Sequence, residues 1–176
     1  MSRLVPAALA FVLAAGAISG CSPQPEPEDP PQFASEEEAF AAAEETYRAY
    51  VDALNQVDLS DPETFEDVYA WTTAEANANE RKTLSKMHAD GWIVTGETAV
   101  EDFVGKSASL DPIEVVGTVC SNVSDIEVTD SAGASVVPDT RPDVYTLEVV
   151  FAESNTTPTG LAITSSNAVE DAGCTP

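Results

Sequence analysis

Apolar positions along the chain change their period once, near residue 91. Before it, Phe40, Ala43, Tyr47, Tyr50/Val51, Leu54 and Val57 recur at the spacing of one helix face, with Glu44, Glu45, Arg48 and Asp52 largely on the other side. Ser35-Glu36-Glu37-Glu38 reads as a capping box, and its acids suit the positive end of a helix. The pattern predicts a long helix over about 36–57. Asp61-Pro62 is a second helix start, an N-cap followed by Pro at the first helical position, with Phe65, Val68 and Tyr69 as a short apolar face. Thr72-Thr73-Ala74-Glu75 is a third, capping-box-like start; Ala76, Leu84 and Met87 face inward, and Gly91 supplies the stop.

After Gly91 the period is two. The spacing predicts strands at Trp92–Val94, Thr98–Val104, Ile113–Cys120, Ile126–Thr129, Val144–Ala152 and Leu161–Ser165, with Leu147, Val149 and Phe151 on one face. Turns fall at Asp130–Gly133 and Asn155–Gly160. One long helix, two shorter helices and four to six antiparallel strands, segregated along the chain, predict an α+β domain over 33–176.

The first 32 residues read differently. Arg3 is followed by a nearly continuous apolar run, Leu4 to Ile18, too short for a membrane span of about 20 residues and suited to a secretory leader. Ile18-Ser19-Gly20-Cys21 then resembles the bacterial lipobox. That resemblance implies removal of residues 1–20, a diacylglyceryl group and further acylation (palmitate-type chains) on Cys21, and anchoring at the outer face of the cell membrane. Two or more acyl chains hold a protein stably where one is marginal. Ser22–Gln32, with five prolines and three acids, makes residues 21–32 a semi-rigid tether.

Charge narrows the partners. The 176 residues hold 7 Lys+Arg against 31 Asp+Glu, a formal net charge of -24. A phosphate-binding surface needs a basic patch, so nucleic acid is excluded as a partner, and anionic headgroups repel the body. The membrane is met through Cys21 alone. With Cys21 lipidated, Cys120 and Cys174 form an even pair in an exported protein, and the expectation is a structural disulfide that ties the C-terminus to a central strand.

Several segments, Glu44-Glu45-Thr46-Tyr47-Arg48-Ala49-Tyr50, Val68-Tyr69-Ala70-Trp71-Thr72-Thr73, Met87-His88-Ala89-Asp90-Gly91-Trp92, and Gly133–Pro138 with Arg141-Pro142-Asp143, resemble the NTF2-like (cystatin-like, α+β roll) superfamily. They look most like small secreted lipoproteins of actinobacteria. The resemblance implies a curved sheet wrapped around the long helix and carries no established activity.

Chemistry is sparse. A zinc site of the usual type needs three or four His/Cys ligands, and the chain holds one His, His88, beside paired cysteines. No Gly-x-Ser-x-Gly and no phosphate-cradling Gly-rich loop are present, so no cofactor or metal is expected. The acids Asp58, Asp61, Glu63, Glu66 and Asp67 lack the alternation and central Gly of a calcium loop. Tyr47, Tyr50, Tyr69, Trp71 and Trp92 are candidates to line a cavity between helix and sheet, although core packing alone explains the same aromatics. Three readings of function follow. The first is a surface-tethered, non-enzymatic binding or interaction module whose protein or small-molecule partner the sequence does not name. The second is a cavity enzyme of isomerase or dehydratase type using Asp67 or His88 beside a Tyr. The third is a structural or envelope-stress protein with no small ligand.

Overall fold

The long helix α1 runs Glu36–Asn55. Its entry is a shifted capping box: Ser35 Oγ accepts the Glu38 N–H at 3.3 Å, while the Glu38 carboxylate accepts the Ala34 N–H at 2.8 Å instead of that of the cap residue. The computed structural model describes residues 32–170, 173 and 174. The leader, Cys21 and the tether up to residue 31 lie outside the described residues.

Asp61 caps a 3-10 turn, Pro62–Thr64, which leads into a short helix, α2, Phe65–Tyr69. Helix α3 spans Ala74–Asp90 and ends on Gly91 at φ 67, the left-handed position that favours Gly. The expected capping box at its start is not made. Thr73 is extended with no side-chain bond, the chain enters through Ala74 at φ 47, and the Asn77 amide instead holds the carbonyls of Tyr69 and Thr72.

Six strands follow: β1 Ile93–Thr95, β2 Ala99–Leu110, β3 Ile113–Asn122, β4 Glu127–Thr129, β5 Val144–Glu153 and β6 Leu161–Ala168. They make two sheets. The larger has the order β2-β3-β5-β6, every neighbour antiparallel; the smaller pairs β1 with β4. β2 runs past its expected end because Gly105–Ser109 carries no apolar alternation. Pairing with β3 holds that stretch, and the Phe40 ring of α1 lies where a Cβ on Gly105 would sit, 2.5 Å away. β6 likewise continues past its expected end at Ser165 to Ala168.

α1 lies across the larger sheet. Ala39, Ala43, Tyr47 and Val51 meet Val115, Val119, Val149, Phe151, Leu161 and Ile163, and Phe33 is already part of this core. A second cluster, Leu59, Phe65, Val68, Tyr69 and Leu84, joins α2 and α3 to the C-terminal turns of α1. Three helices on antiparallel sheets of four and two strands give the expected α+β roll.

Candidate functional site

Tyr47 and Tyr50 are three residues apart on α1 and share the face that meets α3 and β6, with ring centroids 5.7 Å apart. Across from them stands Glu80. Ala76, Glu80 and Leu84 are spaced by four along α3, so Glu80 occupies the inward stripe between two buried apolar residues. Tyr50 Oη donates to Glu80 Oε1 at 2.5 Å. Ser165, Ser166 and Thr72 complete the wall of a small void of about 60 Å³.

Burial sets the electrostatics. It pushes the Tyr47 phenol up to about 12, against the pull of the Ser121 and Ser166 hydroxyls. Burial also raises Tyr50 well above its ordinary value, helped by the Glu80 charge. Glu80 itself is raised by burial, with the Tyr50 bond opposing. A carboxyl held up beside a phenol has acid–base character. A cavity for a small-molecule substrate is nevertheless about 300–1,000 Å³, and 60 Å³ is the share of about two waters.

Glu80→Gln keeps an oxygen for Tyr50 and removes the buried charge. A carboxyl raised in the folded state binds its proton more readily there than in the unfolded chain. Its stabilising protonated form is therefore fully present below the ordinary value of 4.5 and is lost as pH rises through the raised one. The Gln variant is expected to melt above the parent at about pH 7, and the gap to close near about pH 4. Thermal melts at both pH values check this; a Gln variant that melts lower at neutral pH would show that the charge is well solvated.

The other expected cavity residues do not line the void beside Tyr47 and Tyr50. Tyr69 and Trp92 belong to the second cluster, where Arg81 stacks 3.9 Å from the Tyr69 ring centroid and Lys86 lies 5.5 Å from that of Trp92. Trp71 is half-buried beside β6, its carbonyl accepting the Ile163 N–H at 3.0 Å. Asp67 is exposed on α2. His88 is exposed near the end of α3; its Nδ1 donates to the Leu59 carbonyl at 2.7 Å and its ring meets Phe65 edge-on. Neither faces the Tyr47–Tyr50 void. Cys120 is bonded to Cys174, Cα atoms 5.5 Å apart.

A second concavity has no counterpart among the sequence-based expectations. The ends of α1 and α3 and the small sheet enclose an apolar groove of about 190 Å³, lined chiefly by Leu54, Val57, Leu84, Met87, Val94 and Ile126. Those residues come from separate segments, and each alone reads as ordinary core. A larger open depression of about 550 Å³, along Thr72, Thr73 and Glu153–Thr156, is polar, and its hydroxyls serve one another: Ser154 and Thr156 lie 2.9 Å apart.

No family model and no curated protein matches the chain. Solved structures do. The intermembrane-space region of chloroplast protein ARC6 superposes with a TM-score of 0.51 at 14% identity, over 75% of this chain and 97% of that one. The periplasmic domain of DotI gives 0.48 at 9% identity, over 80% and 99%, and the VirB8 protein of Agrobacterium tumefaciens 0.39 at 14%, over 81% and 99%. The fold is an α+β roll. At these identities the likeness concerns fold alone.

Proposed function

We propose that this protein is exported, is held at the outer face of the cell membrane by acyl chains on Cys21, and works there as a binding module and not as an enzyme. It would then belong with the small secreted lipoproteins of actinobacteria that its sequence resembles. The observation that carries the module reading is the division of space. The interior of the roll is filled to about 60 Å³, while the apolar groove beside the small sheet holds about 190 Å³. The lipobox after a short apolar run supports the anchor, and the tether of residues 21–32 sets the roll off a surface that its acidity disfavours.

Cys21→Ser tests the anchor. The variant is expected to leave the membrane fraction for the medium, or to accumulate unprocessed. A variant that stays membrane-bound at mature size would end the lipid-anchor reading. The enzyme reading survives only at Glu80, and it requires a substrate-sized opening between α3 and β6 that the void does not offer.

A further inference from the structure

A sheet edge left open is a template for another chain, and most edges in this fold are guarded. β2 carries two register shifts and Lys106. The outer side of β6 is bridged by Thr72. The outer side of β4 is met by Ser135 and Val136, whose N–H donates to the Val128 carbonyl at 3.0 Å. β1 is the exception.

That last bond fixes how β1 is oriented. A strand residue sends its N–H and C=O to the same side, so Val128 addresses Val136 and not β1. Val94, the partner of Val128, therefore forms the non-hydrogen-bonded pair of the β1–β4 ladder, and Ile93 and Thr95 make its bonds. The Val94 N–H and C=O point away from the sheet, and among the described residues they take no partner. Ile93 and Val94 are also exposed, at 54% and 38%. The Val94 side chain lines the apolar groove.

We propose that β1 is a strand-addition site, at which an extended segment of another protein, apolar at its centre and basic at its flanks, pairs with Val94 and places a side chain in the groove. This rests on the binding-module reading above. A residue opposite Val94 on the added strand shares its face and so enters the space lined by Leu54, Leu84 and Met87. The flanks follow from charge. Asp58, Glu97, Asp125 and Glu127 are exposed, and each is the chain neighbour of a lining residue. Lys86, the basic neighbour of Met87, is tied to Asp90. The same charge disfavours a second copy of a chain at -24. The chain's own Ser22–Gln32 stretch, rich in Pro and acids, has the wrong chemistry on both counts.

The test uses the full chain carrying Cys21→Ser, so that its outcome does not depend on anchoring. The probe is the peptide Lys-Lys-Val-Leu-Val-Lys-Lys, titrated by fluorescence polarisation beside an all-Glu-flanked peptide and one N-methylated at the central Leu. Binding at low salt is expected for the Lys peptide, and it should fall steeply with added salt. The Glu-flanked and N-methylated peptides are each expected to bind about ten-fold more weakly. Val94→Pro removes the outward N–H at an edge position where Pro is tolerated, and replaces the groove-lining isopropyl group with a ring; it is expected to cost about ten-fold as well, and Val94→Ala, which alters the side chain alone, is expected to cost less. Should Val94→Pro fail to fold, the N-methylated peptide asks the same question from the ligand side.

If Met87→Glu abolishes binding while Val94→Pro and N-methylation do nothing, the groove binds side chains, the module reading stands and strand addition is wrong. If no peptide binds, both fall. Self-association of the chain dissolved by Val94→Pro would make a second copy the occupant, and peptide binding that emerges only after removal of residues 1–31 would make it the chain's own segment. Either result overturns the proposal.

Discussion

Cys174→Ser is expected to lower the unfolding free energy by roughly 2–4 kcal/mol while leaving the fold intact. The bond joins residues 54 apart in sequence, and the chain-entropy estimate for a loop of that size is roughly 4 kcal/mol, an upper figure because real denatured chains are already compact. Little of the native packing depends on the bond. β6 ends at Ala168, Val169 donates to the Thr146 carbonyl at 3.0 Å, and the bond at Cys174 lies beyond. Its other end, Cys120, sits in β3, which is paired along its length on both sides and does not need the bond for its place. The effect therefore acts mainly on the unfolded chain. Urea melts of the oxidised parent, the single Ser variant and the double Ser variant check this. The two variants should coincide at a lower midpoint; midpoints equal to that of the oxidised parent would mean that the bond constrains nothing.

The helices were legible because their signals are local. Phe40 to Val57 repeats at helical spacing, Asp61-Pro62 starts the second segment, and Gly91 takes the left-handed stop. The start of α3 was legible in place but not in mechanism, since no side chain caps its first N–H groups and the Asn77 amide instead ties the entry by donating to the Tyr69 and Thr72 carbonyls. Strand existence was legible wherever Val, Ile and Phe alternate. The second half of β2 was not, because Gly105 and its small polar neighbours are held by pairing with β3 and by an aromatic ring from α1, both of them distant in sequence. Division into two sheets is also non-local: β1 and β4 are three residues each, and nothing in either names its partner.

The site divides along the same line. Tyr47 and Tyr50 were legible as neighbours on one face. Glu80 left a usable signal, an acid four residues from both Ala76 and Leu84 in an inward stripe, but a lone His88 and the dense acids near Asp67 are the more conspicuous groups in the sequence. Asp67 is exposed because it lies off the short apolar face of Phe65, Val68 and Tyr69; His88 continues the four-residue row of Ala76, Glu80 and Leu84, but in the last turn of α3, where its ring meets Phe65 and bonds the Leu59 carbonyl while the residue stays exposed. The groove has no sequence signature at all, since its walls come from segments as far apart as Leu54 and Ile126.

Phe151→Ala is expected to cost about 3–5 kcal/mol, enough to unfold much of a marginal domain. The ring is fully buried in β5, with Val115 opposite it on β3 and Ile163 opposite it on β6. Whether truncation costs the upper or lower figure depends on how far neighbours can move into the space. Here they are held. Phe103 meets Phe151 edge-on at 6.3 Å between centroids, but its ring also lies over Gly117, 2.5 Å from where a Cβ would sit, and leaving that place would open a second gap over the glycine. Above, Tyr47 on α1 is itself buried in the same core. Collapse from either side exchanges one void for another, so most of the cavity cost should remain. Phe103→Ala, at a half-buried position, is expected to cost less than Phe151→Ala, although it uncovers Gly117. Denaturant melts of both variants give the ranking. The groove is lined from the ends of α1 and α3 and the small sheet, not from β5, so at temperatures where Phe151→Ala remains folded its peptide affinity should match that of the parent. Equal costs for the two variants would mean that the sheet face yields as a whole and that Phe151 has no special place in it.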